Sequence, residues 1–128
     1  MDTAAAAQRW AEEWARGWRE HDSGRVAALY AEGAVFRSAP FRPPQNPREY
    51  AEWTFSHEDS AECWFGEPIV AGDRAAVEYW AVIKSGGKRE TLAGITVLHF
   101  DSEGKVRDHI DYWQMDEGAR PAPDGWGR

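Results

Sequence analysis

Apolar and polar residues alternate most strictly in two runs near the C-terminal end, Thr91–Phe100 and Val106–Met115. A period of two places successive side chains on opposite faces of a strand. Between the runs lie Asp101 to Lys105, with Gly104 where a hairpin connection calls for positive φ. On the second strand Val106, Asp108, Ile110, Tyr112 and Gln114 share one face. Arg107, His109, Asp111, Trp113 and Met115 share the other. Upstream, Ala75–Lys84 reads as a strand that Ser85–Lys88 turns back into this hairpin. Ala61–Val70 reads as another, which Gly66 and Pro68 bulge or end, followed by a turn over Ala71–Arg74.

The N-terminal half has the helical period instead. Thr3–Glu20 is alanine-rich and repeats Trp10, Trp14 and Trp18 on one face, with Thr3 as a cap and Gly17 as a weak point costing about 1 kcal/mol against alanine. His21–Gly24 breaks the chain, and Asp22 or Ser23 can cap a second short helix through Val26, Leu29 and Tyr30 that Gly33 ends. Ala34–Ser38 reads as a strand. Ala39–Pro47 holds four of the seven prolines and reads as a loop that closes over something. Arg48–Phe55 is a third helix presenting Tyr50, Trp53 and Phe55, and Ser56–Ser60 is a polar loop. The order is helix, helix, strand, helix, then four strands. Helices segregated on one face of a curved antiparallel sheet make an α+β fold with a cone-shaped hollow. We read 1–128 as one domain: a core over 1–116 and a Pro/Gly-rich tail over 117–128, anchored by Trp126.

A chain of 128 residues is long enough for one core. Its net charge of −7 argues against nucleic acid and anionic membrane surfaces as partners. No apolar run approaches the roughly 20 residues of a spanning helix. The N-terminus does not read as a signal peptide, and the lone Cys63 fits a reducing cytoplasm, where it reads as a strand core residue. Eight tryptophans are many for this length and suggest an aromatic-lined cavity or a buried dimer face.

Several strings, in this order, resemble the nuclear transport factor 2-like superfamily and its SnoaL-like, polyketide cyclase-like branch. They are Trp18–Asp22, Leu29–Phe36, Val70–Val77, and Gly104–Val106 running into Asp108–Trp113. The resemblance implies a cone fold with a deep pocket between sheet and helices, a homodimer, and a small apolar or polyketide-like ligand. It implies neither metal nor cofactor. The superfamily includes cyclases, isomerases, dehydratases, epoxide hydrolases and pure binding proteins, so fold does not fix function. Set beside ketosteroid isomerases, this chain has Trp14, Ser38 and Thr96 where their tyrosine, base and oxyanion-hole acid fall, so that mechanism is lost. In SnoaL-like cyclases the last strand carries an acid–His–aromatic–Asp string. Here it is Asp108-His109-Ile110-Asp111, with Ile110 replacing the aromatic and Gln114 where many relatives have an acid. The resemblance thus implies Asp111 as acid/base with His109 assisting, in a pocket that Trp14, Ser38, Trp53, Tyr79, Thr96 and Trp113 line.

Chemically, removing a proton next to a carbonyl suits a carboxylate in a dry aromatic cavity, and an imidazole can donate to the developing oxyanion or shuttle the proton. The pattern alone equally describes a solvated face, with Val106, Ile110 and Tyr112 as core. Asp22 reads as a cap, and His57, Glu58, Asp59 and Glu62 as solvated loop and edge, not a metal site. His99 reads as a surface or interface residue, and Arg37 and Arg42 as surface charge that could hold an anionic group. With Tyr79 inward, Glu78 and Trp80 face outward. A binding protein without catalysis, and a dimerising module filled by its own tryptophans, remain the other readings.

Overall fold

The computed structural model describes residues 1–128. Helix α1 (Thr3–Glu20) is capped by Asp2, not by Thr3: the Asp2 carboxylate accepts from the Ala5 amide at 2.7 Å. Such a cap contributes about 1 kcal/mol. It stops at His21, whose backbone adopts the left-handed conformation (φ 54°) and returns its N–H to Gly17 and Trp18 carbonyls. Asp22 caps α2 (Ser23–Ala27) through the Arg25 amide. Asn46 caps α3 (Pro47–Ser56), with Pro47 in the first turn where its missing N–H is harmless.

The second helix is shorter than the sequence pattern predicts. It ends at Ala27, and Tyr30 opens strand β1 (Tyr30–Arg37). Gly33, expected to terminate that helix, lies inside β1 with φ 75°, within an irregularity between Tyr30 and Val35. Pairing is the physical reason: the Leu29 carbonyl accepts from the Val106 amide at 2.9 Å, drawing this segment onto the last strand. Five strands, not four, follow α3: β2 (Ser60–Phe65), β3 (Ile69–Ala71), β4 (Arg74–Ser85), β5 (Lys88–Phe100) and β6 (Val106–Glu117). Gly66 and Pro68 divide what reads as one run into β2 and β3.

The sheet runs β1-β6-β5-β4-β2, with β3 also on β4. All pairs are antiparallel except β1–β6, which is parallel and makes the sheet mixed. The helices pack on its concave side. Trp10 meets Phe65 edge-on at 5.5 Å, Trp18 meets Tyr79 at 6.4 Å, and Cys63 is fully buried against α1. Burial pushes the Cys63 thiol up to about 11. The tail crosses the convex side: Trp80 Nε1 donates to the Arg120 carbonyl at 2.8 Å and its ring meets Trp126 at 6.1 Å. Gly66 and Gly127 touch so closely that a methyl on Gly66 would sit 2.8 Å from the Gly127 Cα.

Candidate active site

Strand register builds the floor of the site. Val77, Thr96 and Asp111 form one row across β4, β5 and β6; Tyr79, Gly94 and Trp113 form the next; Ala81, Leu92 and Met115 form a third. Every one of these residues points to the concave side, because the pleat repeats every second residue. Over the rows lies a cavity of about 270 Å³, near the lower end of ligand pockets (roughly 300 Å³). Trp10, Trp14 and Trp18 roof it from α1, while Tyr50, Trp53 and Thr54 close it from α3. His57 and Glu58 stand at the hairpin-turn end, and Arg42 reaches in from the proline loop.

At the floor the polar groups form one directed chain. Indoles can only donate. Trp10 Nε1 and Trp14 Nε1 both donate to the Tyr30 hydroxyl, at 3.1 and 2.8 Å, and fill its two lone pairs. The remaining Tyr30 hydrogen points to His109 Nδ1 at 2.8 Å. Nδ1 is therefore an acceptor, and the ring hydrogen sits on Nε2, which donates to Asp111 Oδ1 at 2.9 Å. Thr96 Oγ1 donates to the same oxygen at 2.6 Å. The chain fixes a neutral His109 in one tautomer and saturates Oδ1, leaving Asp111 Oδ2 as the free acceptor on the cavity wall. Phe36 stacks on the imidazole at 4.1 Å and holds its plane. Side-chain exposure is 2% for His109 and 13% for Asp111. Burial raises the Tyr30 phenol well above its ordinary value despite the two indole donors, which keeps it a donor to His109.

Two features near the opening carry charge. The Arg42 guanidinium lies 5.3 Å from the Trp113 ring centre and donates to Ser38 Oγ at 3.1 Å. Trp113 is held in turn by donating Nε1 to the Ser38 carbonyl at 2.6 Å. Opposite, Glu58 Oε1 accepts from Trp18 Nε1 at 2.8 Å. Burial pushes this carboxyl up to about 7, against the opposing effect of that hydrogen bond.

Residues 11–109 match the family described as the SnoaL-like domain. The chain belongs to that family. None of the curated proteins compared with this SnoaL-like chain matches it by sequence. Many solved structures share its fold. The epoxide hydrolase/cyclase-like enzyme SalBIII, described for its role in pyran ring formation in the polyether salinomycin, superposes with a TM-score of 0.78 at 17% identity, over 91% of this chain and 98% of that one. An LEH-like epoxide hydrolase of M. tuberculosis gives 0.68 at 16%, over 88% and 86%. The BvnE pinacolase of Penicillium brevicompactum gives 0.72 at 18%, over 87% and 84%. At such identities the likeness establishes the cone fold.

Within the SnoaL-like cone, Asp111, His109, Trp14, Trp53, Tyr79, Thr96 and Trp113 all line the cavity. Ser38 does not: it is fully buried behind Trp113 and Arg42, where it braces both. Both nitrogens of His109 are spent inside the protein, so the imidazole offers no donor to a ligand oxygen. Glu58, read as part of a solvated loop, and Arg42, read as surface charge, prove to be lining residues. Tyr30, read as an apolar helix residue, is the hub of the chain. No local signal marks these three, because only packing brings Glu58 and Arg42 to the cavity and the Tyr30 hydroxyl to Trp10, Trp14 and His109 behind its wall. His99 stays at the surface among Asp73, Arg107 and Asp108. His57, Glu58, Asp59 and Glu62 form no group arranged to hold a metal ion.

Proposed function

We propose that this SnoaL-like protein catalyses proton transfer on a small apolar carbonyl compound bound in the aromatic cavity, with Asp111 as the base. One observation carries the reading. The carboxylate has one oxygen saturated by Thr96 and His109 and the other free on the wall of a cavity walled by indoles and phenols. Oδ2 takes a proton from the carbon beside the carbonyl and returns it to another atom of the same ligand. That single cycle serves ring closure, isomerisation or dehydration. His109 is a positioning residue here: it orients the carboxylate and stays neutral. Structural neighbours that are a cyclase-like enzyme, an epoxide hydrolase and a pinacolase support a reaction within a pocket of this kind.

The reading is tested with 2-tetralone in D₂O, following loss of its α-protons by NMR. The expected result is exchange above the buffer rate, falling by about 10²–10⁴-fold in Asp111→Asn while tetralone affinity stays nearly intact. Binding without exchange in the unaltered protein would leave the non-catalytic binding reading standing. We propose in addition that the convex face pairs two copies of the chain. Trp64, Ile69 and Tyr112 share that face at 47%, 64% and 45% exposure.

A further inference from the structure

An enolate forming at Asp111 needs a donor at its oxygen, and His109 has none to give. The second row of the floor supplies one. Tyr79 is only 5% exposed, lines the cavity, and its hydroxyl takes no hydrogen-bond partner from the protein. Its ring lies across Gly94, the β5 residue paired with it. A methyl on Gly94 would sit 2.7 Å from the Tyr79 oxygen and 2.8 Å from the Trp113 Cβ, so the phenol can occupy that place only because the position is glycine. On β6 the partner of Gly94 is Trp113, and Asp111 stands two residues before it, roughly 7 Å along the strand. A base contact, the two bonds from α-carbon to oxygen, and a donor contact together span up to about 8 Å. Burial first, and then the Asp111 carboxylate and Tyr50, push the phenol above its ordinary value and keep it protonated beside the base.

We infer that Tyr79 is the hydrogen-bond donor that holds the carbonyl oxygen of the substrate, and that Gly94 is the positioning residue that gives its ring room. The inference rests on Asp111 being the base and narrows the substrate to compounds whose carbonyl and α-hydrogen reach both groups. Asp111 Oδ2 takes the α-proton; the C–H electron pair becomes the new C=C bond and the carbonyl π pair moves to oxygen. Tyr79 donates to that oxygen and retains its own proton.

The test uses 4-nitrophenolate as an enolate mimic and 4-nitrotoluene as its uncharged counterpart, with full-length protein. Asp111→Asn imitates the base after it has taken a proton, so it should bind the phenolate at least tenfold more tightly than the unaltered protein. Adding Tyr79→Phe should then weaken the phenolate by about tenfold to hundredfold and leave 4-nitrotoluene unchanged. In the tetralone assay Tyr79→Phe alone should lower exchange by about 10²–10³-fold with little change in affinity. A phenolate bound no better by Asp111→Asn removes the base reading and this inference with it. A gain in Asp111→Asn that survives Tyr79→Phe, or an equal loss for both probes, leaves the base in place and overturns the role of Tyr79. Gly94→Ala also presses on the Tyr112 carbonyl at 2.6 Å, so Tyr79→Phe is the deciding variant.

Discussion

At the scale of single residues, the site depends on Tyr30 having exactly as many partners as an oxygen and a hydrogen can serve. Two indoles donate, one imidazole accepts, and nothing is left over. Tyr30→Phe strands two buried indole N–H groups and one imidazole nitrogen. Each unsatisfied group costs about 1–3 kcal/mol, so with three stranded together urea denaturation should show a loss of about 3 kcal/mol or more. Nitrogen-15 NMR of the unaltered protein should find the His109 hydrogen on Nε2; a hydrogen on Nδ1 would break the chain of donors described above. Glu58 gives a prediction in pH. Burial raises its folded-state value to about 7, so the folded state holds the proton more tightly than the unfolded one. Its favourable contribution is full at acid pH and is lost as pH rises from the ordinary glutamate range through about 7. Glu58→Gln keeps the acceptor for Trp18 without the charge. Thermal unfolding should find that variant equal to the parent near pH 4 and more stable near pH 8, by roughly 1–3 kcal/mol.

At the scale of elements, Gly17 separates what a helix prefers from what its neighbours allow. Propensity alone says Gly17→Ala gains about 1 kcal/mol. Packing says otherwise, since a methyl there would meet Val26 Cγ2 at 2.7 Å and the Asp22 carbonyl at 3.1 Å. Val26 is fully buried and cannot swing away. We expect a net loss of roughly 1–2 kcal/mol, read from chemical unfolding; a gain would show that α1 and α2 adjust freely. The caps at Asp22 and the hairpin at Gly104 were legible because each uses local chemistry. The early end of α2 was not, because the pull on Tyr30 comes from β6, far along the chain. The same is true of the parallel pairing that leaves the sheet mixed.

At the scale of the whole molecule, a convex face with exposed Trp64, Ile69 and Tyr112 fits a pair of copies, each burying about 800 Å². Sedimentation velocity at micromolar concentration should give twice the chain mass, and Tyr112→Lys should return it to one. A chain of single mass at every concentration would set the dimer aside. No helix is long and apolar enough to cross a membrane.

The sequence by itself determined most of the elements and the face of β6 from His109 to Met115, though not that of Val106, which a register shift beside Phe100 turns into the core. Alternation on β6 placed His109, Asp111 and Trp113 together, and the tryptophan period on α1 placed Trp10, Trp14 and Trp18 on one face of the helix. Such facts follow from backbone period, which neighbours in the chain carry. Only the tertiary structure decided that this face meets a cavity and not water. Only it brought Arg42 and Glu58 to the cavity and Tyr30 to the imidazole behind it, spent both His109 nitrogens, and left Asp111 Oδ2 and the Tyr79 hydroxyl free. Those facts depend on which atoms lie within 3 Å across strands and helices far apart in the chain, and no local pattern encodes such distances.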